Sequence, residues 1–284
     1  MTRNTPRLSL LKKTLAALVL AAALLYALLT GGVWWFQEDL MFNGRTAELV
    51  ATPAAEGWAF QDIWLDTPGG RTHGWWIPLE NARRVVMFSH GSGRNICHYL
   101  DDAAIYRELG CSVLLYDYGG YGQSGGKPSE ARCCADARAM WSHLTGPLGV
   151  PPERILLIGA SMGGGVTADL ATAVTPGAIM LECTFTSVPD VFADTYGWVP
   201  IHWISRINYK NIEKVGKYQR PVLVAHSRDD TVVPFAHAER LYEKITAPKM
   251  FVELRGGHGG CKFESKDAYT AALKAFLEKH MPEK

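Results

Sequence analysis

The stretch LLIGASMGGGV, residues 156–166, decides the fold. It begins as an aliphatic run with the length of a buried strand, and this run stops at Gly159. Ser161 then lies in the pattern Gly-x-Ser-x-Gly, and further glycines follow. A strand that turns sharply into a helix exposes the serine oxygen and directs free N–H groups towards developing negative charge. The stretch therefore predicts a nucleophile at Ser161, with close packing of a glycine-rich helix start as the alternative.

Short apolar runs alternate with helical stretches along the rest of the chain. Strands are expected at 84–89, 111–118, 154–159, 177–182, 220–226 and 249–255, after a hairpin at 59–66 and 71–77. Helices are expected at 99–109, 129–144, 162–174, 236–246 and 264–280. Such alternation predicts a mostly parallel sheet with helices on both faces, which binds ligands at the carboxyl ends of its strands. We expect one α/β domain over 37–284, with a short lid at about 184–217.

A serine hydroxyl needs a base, and the base needs a carboxylate to orient it. His258 follows the last predicted strand within a glycine-rich loop, and Asp229 and Asp230 follow the strand before it. Both loops belong at the sheet edge that carries Ser161. The residues alone leave the acid open, because Glu182 also ends a predicted strand.

Acyl transfer further needs N–H donors for the oxyanion. One donor is expected to be the backbone N–H of Met162, directly after the nucleophile. The other is expected from the loop His90-Gly91-Ser92-Gly93, which follows the strand at 84–89, with the N–H of Ser92 as the donor. His90 is expected to brace this loop and to transfer no proton.

Composition and motif spacing argue against several other classes of protein. Gly120 to Gly125 match the G-x-G-x-x-G pattern of dinucleotide sites, but Lys127-Pro128-Ser129 separates them from the next predicted helix. No H-E-x-x-H or Walker pattern occurs, and the six cysteines lack zinc spacing. With 29 basic and 28 acidic residues, no charge excess favours nucleic acid. We predict no metal, no cofactor and no disulfide, with most cysteines serving as small buried residues.

The N-terminus carries a different signal. Residues 14–36 have no charged side chain, follow basic residues within 1–13, and end with Trp34, Trp35 and Phe36. A helix of this length spans about 30 Å, the thickness of a bilayer core, and tryptophan favours its interface. We expect an uncleaved single-pass anchor with 1–13 in the cytoplasm and the domain outside, in the periplasm if the source is bacterial. A signal peptide cleaved near residues 21–23 is the alternative.

Six segments occur in the order seen in α/β-hydrolase-fold proteins: HGSGRN, YDYGGYGQSGGKPSE, GASMGG, LECTFTSVPD, HSRDDTVVP and GGHGG. Over residues 35–280 the chain resembles the membrane-anchored, short-lid branch, the Bem-type and palmitoyl-protein-thioesterase-like ABHD proteins. The resemblance implies Ser161 as nucleophile and His258 as base. Because the acid of that family precedes a Val-Pro pair by three residues, it also selects Asp230 over its neighbour. Ser92 and Gly260 stand where relatives often carry other residues.

These observations together predict a membrane-tethered serine hydrolase that cleaves carboxylic esters or thioesters, with a small-molecule or lipid-like acyl substrate. Aromatic residues of the lid suggest an apolar acyl group, with simple lid packing as the alternative: Phe185, Phe192, Tyr196, Trp198 and Trp203. A peptidase of the serine-aminopeptidase type shares the triad, but it would usually need a carboxylate or other anchor for a free amino terminus, and no such anchor is evident in the lid. A non-catalytic binding protein on the same scaffold is the third alternative.

Overall fold

The computed structural model describes residues 6–42 and 44–282. Its strands are β1 (Gln61–Thr67), β2 (Gly70–Ile77), β3 (Arg84–Ser89), β4 (Cys111–Tyr116), β5 (Ile155–Ala160), β6 (Ala178–Glu182), β7 (Val222–Ser227) and β8 (Lys249–Leu254). Its helices are α1 (Pro6–Met41), α2 (Leu100–Glu108), α3 (Glu130–Thr145), α4 (Met162–Ala173), α5 (Val188–Thr195), α6 (Ile201–Ile204), α7 (Asn211–Lys214), α8 (Ala236–Lys244), α9 (Cys261–Glu264) and α10 (Lys266–His280).

The eight strands form one sheet in the order β1-β2-β4-β3-β5-β6-β7-β8. β2 pairs antiparallel with β1 and with β4, and all other pairs are parallel. The predicted α/β class and the mostly parallel sheet are therefore confirmed. The carboxyl ends of β5, β6 and β7 lie side by side at one edge, and this edge carries the candidate site.

Apolar residues alternate between the two faces of the sheet. In β3, Val86 and Phe88 join the core layer under α2 and α10, whereas Val85 and Met87 join the layer under α3 and α4. All six residues of β3 are buried because helices cover both faces. Full burial of each large apolar side chain contributes about 1.5–3 kcal/mol. A strand that is covered on both faces therefore favours a continuous apolar run.

Helix α1 is the one long apolar helix in the part of the chain that the structure describes. Within its stretch Leu10–Met41, the most apolar 18-residue window has a mean hydropathy of 2.2 and no buried residue. By length and composition this helix could cross a membrane. It continues five residues past the predicted end of the span at Phe36.

The segment after α1 is fastened to the domain. Phe42 is fully buried, and its ring packs edge-on against Tyr121 at 6.5 Å. The side-chain amide of Asn95 donates to Thr46 Oγ1 (3.0 Å) and to the carbonyl oxygen of Glu48 (2.6 Å). These contacts join the end of α1 to the loops after β3 and β4.

The segment between β6 and β7 contains the short helices α5, α6 and α7, in the region predicted as a lid. Its aromatic residues divide into two groups. Phe185 and Phe192 pack against the core layer of α3 and α4. Tyr196, Trp198 and Trp203 are exposed, Trp203 to 91%.

Candidate active site

Ser161 lies in the turn between β5 and α4 with backbone angles φ 53° and ψ −120°. A non-glycine residue in such a conformation costs about 1–3 kcal/mol, so the surroundings must hold it. The N–H of Ser161 donates to the carbonyl oxygen of Glu182 (2.9 Å), and its own carbonyl oxygen accepts from Thr184 Oγ1 (2.7 Å). The end of β6 therefore holds the strained serine in place.

Glycines on both sides make this turn sterically feasible. A Cβ at Gly163 would lie 1.9 Å from the carbonyl oxygen of Ser89, and a Cβ at Gly159 would lie 2.4 Å from that of Gly163. Both distances are far below van der Waals contact, and backbone atoms cannot move aside easily. The Gly-x-Ser-x-Gly pattern thus reflects close packing of the turn against the end of β3.

The structure brings the three predicted residues of the triad together. His258 Nε2 lies 2.8 Å from Ser161 Oγ, and His258 Nδ1 lies 2.6 Å from Asp230 Oδ2. The carboxylate of Asp230 is buried, whereas the side chain of His258 remains 18% exposed. The result is a continuous hydrogen-bond chain from a buried carboxylate to a serine oxygen at the surface of a cleft.

Asp230 is held in its ionised form by its neighbours. Burial alone would raise its pKa, but the hydrogen bond with His258 and the backbone N–H groups of Val233 (2.8 Å) and Val232 (2.9 Å) outweigh it and lower the pKa. Behind the carboxylate, His226 donates from Nε2 to the carbonyl oxygen of Val233 (2.8 Å), and burial lowers the pKa of this histidine. Asp230 therefore accepts a proton less readily than an ordinary aspartate.

Asp229 has a different task. Its Oδ2 accepts the backbone N–H of Gly256 (3.0 Å), and Ser227 Oγ donates to the carbonyl oxygen of Gly256 (2.6 Å). Arg255 lies 3.5 Å from the other carboxylate oxygen. These bonds brace the loop that carries His258.

The two residues predicted to bind the oxyanion flank Ser161. Met162 is the first residue of α4 and is buried. Ser92 lines the cleft, and its carbonyl oxygen accepts from Tyr121 Oη (2.9 Å). Gly91 lies closer still to the nucleophile, since a Cβ there would be 3.5 Å from Ser161 Cβ. The loop after β3 therefore packs directly against the serine.

His90 is buried under this loop and braces it. Its Nδ1 donates to the carbonyl oxygen of Gly91 (2.7 Å), and its Nε2 faces Asp117 Oδ1 at 3.4 Å. Tyr118 Oη donates to the carbonyl oxygen of His90 (2.8 Å), and the two rings pack at 4.4 Å. This arrangement fits the bracing role predicted for His90.

A cleft of about 530 Å³ opens beside Ser161 and His258. Its walls come from the loop after β3, the start of α2, the end of β6 and α9, with Tyr99 and Phe263 as its aromatic residues. The five lid aromatics named above do not line it. Within residues 6–42 and 44–282, no group of three or more His, Cys, Asp or Glu side chains is placed to hold a metal ion.

One feature of the cleft was missed from the sequence: a buried ionic cluster in its wall. Lys262 pairs with Asp102 and with Glu182 Oε1 (2.5 Å), while Tyr269 Oη donates to Glu182 Oε2 (2.8 Å). Burial would lower the pKa of Lys262, but the two carboxylates outweigh it and hold the pKa well above its ordinary value. Burial chiefly raises the pKa of Asp102, and the nearby carboxylate of Glu182 adds to the effect. Glu182 thus serves this cluster, and no hydrogen bond or ion pair joins its carboxylate to His258.

A pair of cysteines lies next to the triad. All six cysteines are buried free thiols. Cys183 Sγ lies 3.2 Å from Cys261 Sγ, and the two residues follow Glu182 and the loop of His258. The hydrogen bond between the thiols, followed by burial, raises the pKa of Cys183. No sequence motif indicated this pair, because its members lie 78 positions apart.

A serine on a strained turn, with an aspartate and a histidine at the ends of later strands of a mostly parallel sheet, defines the α/β hydrolases. The model of the family "Serine aminopeptidase, S33" matches residues 80–207, and that of "TAP-like protein" matches 196–284. The chain is 32% identical over 277 residues to the alpha/beta hydrolase domain-containing protein WAV2 of Arabidopsis thaliana, covering 88% of this chain and 90% of that protein.

An uncharacterised protein of Mycobacterium tuberculosis is also 32% identical, over 247 residues, covering 86% of this chain and 88% of its own. Among solved structures, an esterase of Pyrococcus furiosus superposes with a TM-score of 0.70 at 20% identity, covering 84% of this chain and 98% of its own. The chain belongs to the α/β-hydrolase domain-containing proteins. The predicted resemblance is therefore confirmed, and the protein is a hydrolase by family.

Proposed function

We propose that the protein is a membrane-tethered serine hydrolase that cleaves carboxylic esters or thioesters through an acyl-enzyme. The observation that carries the proposal is the hydrogen-bond chain from Asp230 through His258 to Ser161, at the wall of an open cleft. A serine oxygen that is hydrogen-bonded to a histidine, itself oriented by a buried carboxylate, is an activated nucleophile.

The proposed steps follow from these contacts. Ser161 Oγ attacks the carbonyl carbon of the substrate while His258 Nε2 takes its proton, and Asp230 holds the Nδ1 proton that sets the tautomer. The oxyanion is stabilised by the N–H groups of Met162 and Ser92. His258 then gives its proton to the leaving oxygen or sulfur. Water, activated by the same histidine, attacks the acyl-enzyme and releases the acid.

The contents of the cleft favour an ester or thioester over a peptide with a free amino terminus. An aminopeptidase needs a carboxylate for the substrate ammonium, and three acidic residues do line the cleft: Asp101, Asp102 and Glu182. Lys262 already pairs with two of them. Only the exposed Asp101 remains for an amino group, so aminopeptidase activity is the second candidate.

A fluorophosphonate probe tests the proposed nucleophile in a membrane fraction. We expect the wild type to be labelled and Ser161→Ala to remain unlabelled, since the probe bonds only to an activated serine oxygen. A panel of acyl esters and thioesters of increasing chain length, beside aminoacyl nitroanilides, then compares the two candidate activities. Faster turnover of the nitroanilides, or equal labelling of both proteins, contradicts the proposal.

The tether is proposed from α1, whose apolar length suits a bilayer. The basic residues before it support an orientation with the N-terminus in the cytoplasm and the catalytic domain on the other side. Resistance of the protein to alkaline extraction from membranes tests the tether. A C-terminal reporter that is active only outside the cytoplasm tests the orientation.

A further inference from the structure

The lid is bonded to the apolar helix as well as to the domain. Tyr26 Oη, on α1, donates to the carbonyl oxygen of Trp198 (3.0 Å), and the two rings pack at 6.2 Å. Tyr26 lies within the uncharged stretch 14–36. The part of the lid at Trp198 therefore lies at the same depth along α1 as residues of the proposed membrane span.

A second contact joins the base of the lid to the end of α1. The backbone N–H of Arg206 donates to Gln37 Oε1 (2.6 Å), and Gln37 Nε2 donates to the carbonyl oxygen of Ile204 (3.4 Å). The guanidinium of Arg206 lies over the ring of Trp34 at 5.1 Å. Apolar side chains from α1 and from the lid line the seam around Gln37: Val33, Leu40, Met41, Phe192, Ile201 and Ile207.

These two contacts orient the lid along the helix. Tyr26 precedes Trp34 by about 12 Å of helical rise, so the lid extends from its base at Arg206 towards the middle of the uncharged stretch. The contact at Trp198 also satisfies a backbone carbonyl oxygen, which would be costly to leave unpaired near lipid.

The outer face of the lid is aromatic. Trp203 is 91% exposed, and Trp198 and Tyr196 are about half exposed. Large aromatic rings are unfavourable in water, whereas tryptophan and tyrosine are enriched at membrane–water interfaces. Arg206 sits beside Trp34, where a guanidinium can reach lipid phosphates.

We propose that the lid lies in the bilayer leaflet on the side of the domain, with Trp198 and Trp203 inserted among the lipids. The inference rests on the proposed membrane tether, because the lid reaches lipid only if α1 spans the bilayer. The occupant of the aromatic face is lipid and not a protein partner, since the lid is hydrogen-bonded to the span itself at Tyr26. The anchor and the lid then form one membrane-facing surface.

Nitroxide labels on the full chain test this placement in vesicles of phosphatidylethanolamine and phosphatidylglycerol. A single cysteine is introduced in turn at Trp203, at Leu18 within the span, and at Lys279 near the opposite edge of the sheet. The six native cysteines are buried, so the added thiol is labelled preferentially. Collision of each label with oxygen, which is enriched in lipid, is compared with collision with a water-soluble nickel chelate.

We expect Trp203→Cys to behave like Leu18→Cys, with a several-fold loss of nickel collisions relative to Lys279→Cys. Because Trp203 is almost fully exposed, its replacement should leave the thermal unfolding midpoint unchanged, which serves as the folding control. A Trp203 label in water beside a Leu18 label in lipid overturns the lid placement and leaves the tether intact. A Leu18 label in water overturns both. A Trp203 label shielded from oxygen and nickel alike indicates a second copy and also overturns the proposal.

Discussion

Two buried carboxylates lie at the ends of neighbouring strands, and their surroundings make them opposites. Asp230, just past β7, bonds to backbone N–H groups and to His258. Glu182, at the end of β6, bonds to Lys262 and Tyr269. Both positions are compatible with the acid of a triad, yet only Asp230 reaches the histidine.

The difference shows that position in the fold does not assign the acid by itself. Asp230 is satisfied by dipoles and leaves its charge available to a histidine beside the cleft. The charge of Glu182 is neutralised by the buried ammonium of Lys262. The cluster is therefore a structural element. Replacing Asp230 by its amide, and removing the cation beside Glu182, should therefore separate catalysis from stability.

The largest effect is expected for Asp230→Asn. An amide cannot hold His258 in the tautomer that accepts the serine proton, so kcat should fall about 10⁴-fold with little change in folding. Steady-state hydrolysis of a short acyl ester measures the loss. Asp229→Asn is the matched control and should stay within about tenfold of the wild type, because Asp229 only braces the loop. The assignment is reversed if Asp229→Asn is the more damaging of the two.

The second-largest effect is expected on the stability of the protein, when Glu182 loses the cation that pairs with it. Lys262→Met leaves Asp102 and Glu182 buried without their cation, which should destabilise the protein by about 3–5 kcal/mol. Chemical unfolding of the solubilised protein at pH 7 measures the loss, with the exposed Lys279→Met as the control. A change of less than about 1 kcal/mol would show that the cluster is hydrated and not a buried charge network.

This loss should also depend on pH. Asp102 has a raised pKa in the wild type, and without Lys262 protonation of the pair becomes easier still. Acid therefore relieves the unpaired charge, so the destabilisation by Lys262→Met should shrink as the pH falls from 7 towards 5. A destabilisation that grows over that interval contradicts the assignment of buried carboxylates.

The sheet and the residues of the proposed triad could be predicted from the sequence because they depend on local patterns. Strands buried on both faces are continuous apolar runs, as in β3, and the three proposed catalytic residues follow strand ends in the order expected for the family. Which residue is the acid was harder to predict, since Asp229 and Asp230 are adjacent and differ only in how the turn after β7 orients them.

The ionic cluster and the contact between lid and anchor could not be predicted from the sequence. Lys262 and Asp102 are 160 positions apart, and Tyr26 and Trp198 are 172 apart. No local pattern links such pairs, because their members are brought together only by the tertiary fold. The residue types gave no signal either, since a lone lysine or tyrosine usually faces solvent or fills a core.

The smallest effect is the contribution of Asp230 to stability as a function of pH. Its pKa is lower in the folded protein than the usual value of about 4 for an unfolded chain. A carboxyl group whose pKa is lowered by folding stabilises the fold at a pH above its pKa in the unfolded chain. This contribution is lost as the pH falls through the pKa of the group in the folded protein. The difference in unfolding free energy between wild type and Asp230→Asn should therefore decrease as the pH falls from about 5 to below about 4. The exposed Glu278→Gln serves as the control and should show no such decrease. A difference that increases in acid would mean that Asp230 is protonated in the native triad and that burial, rather than its hydrogen bonds, sets its charge.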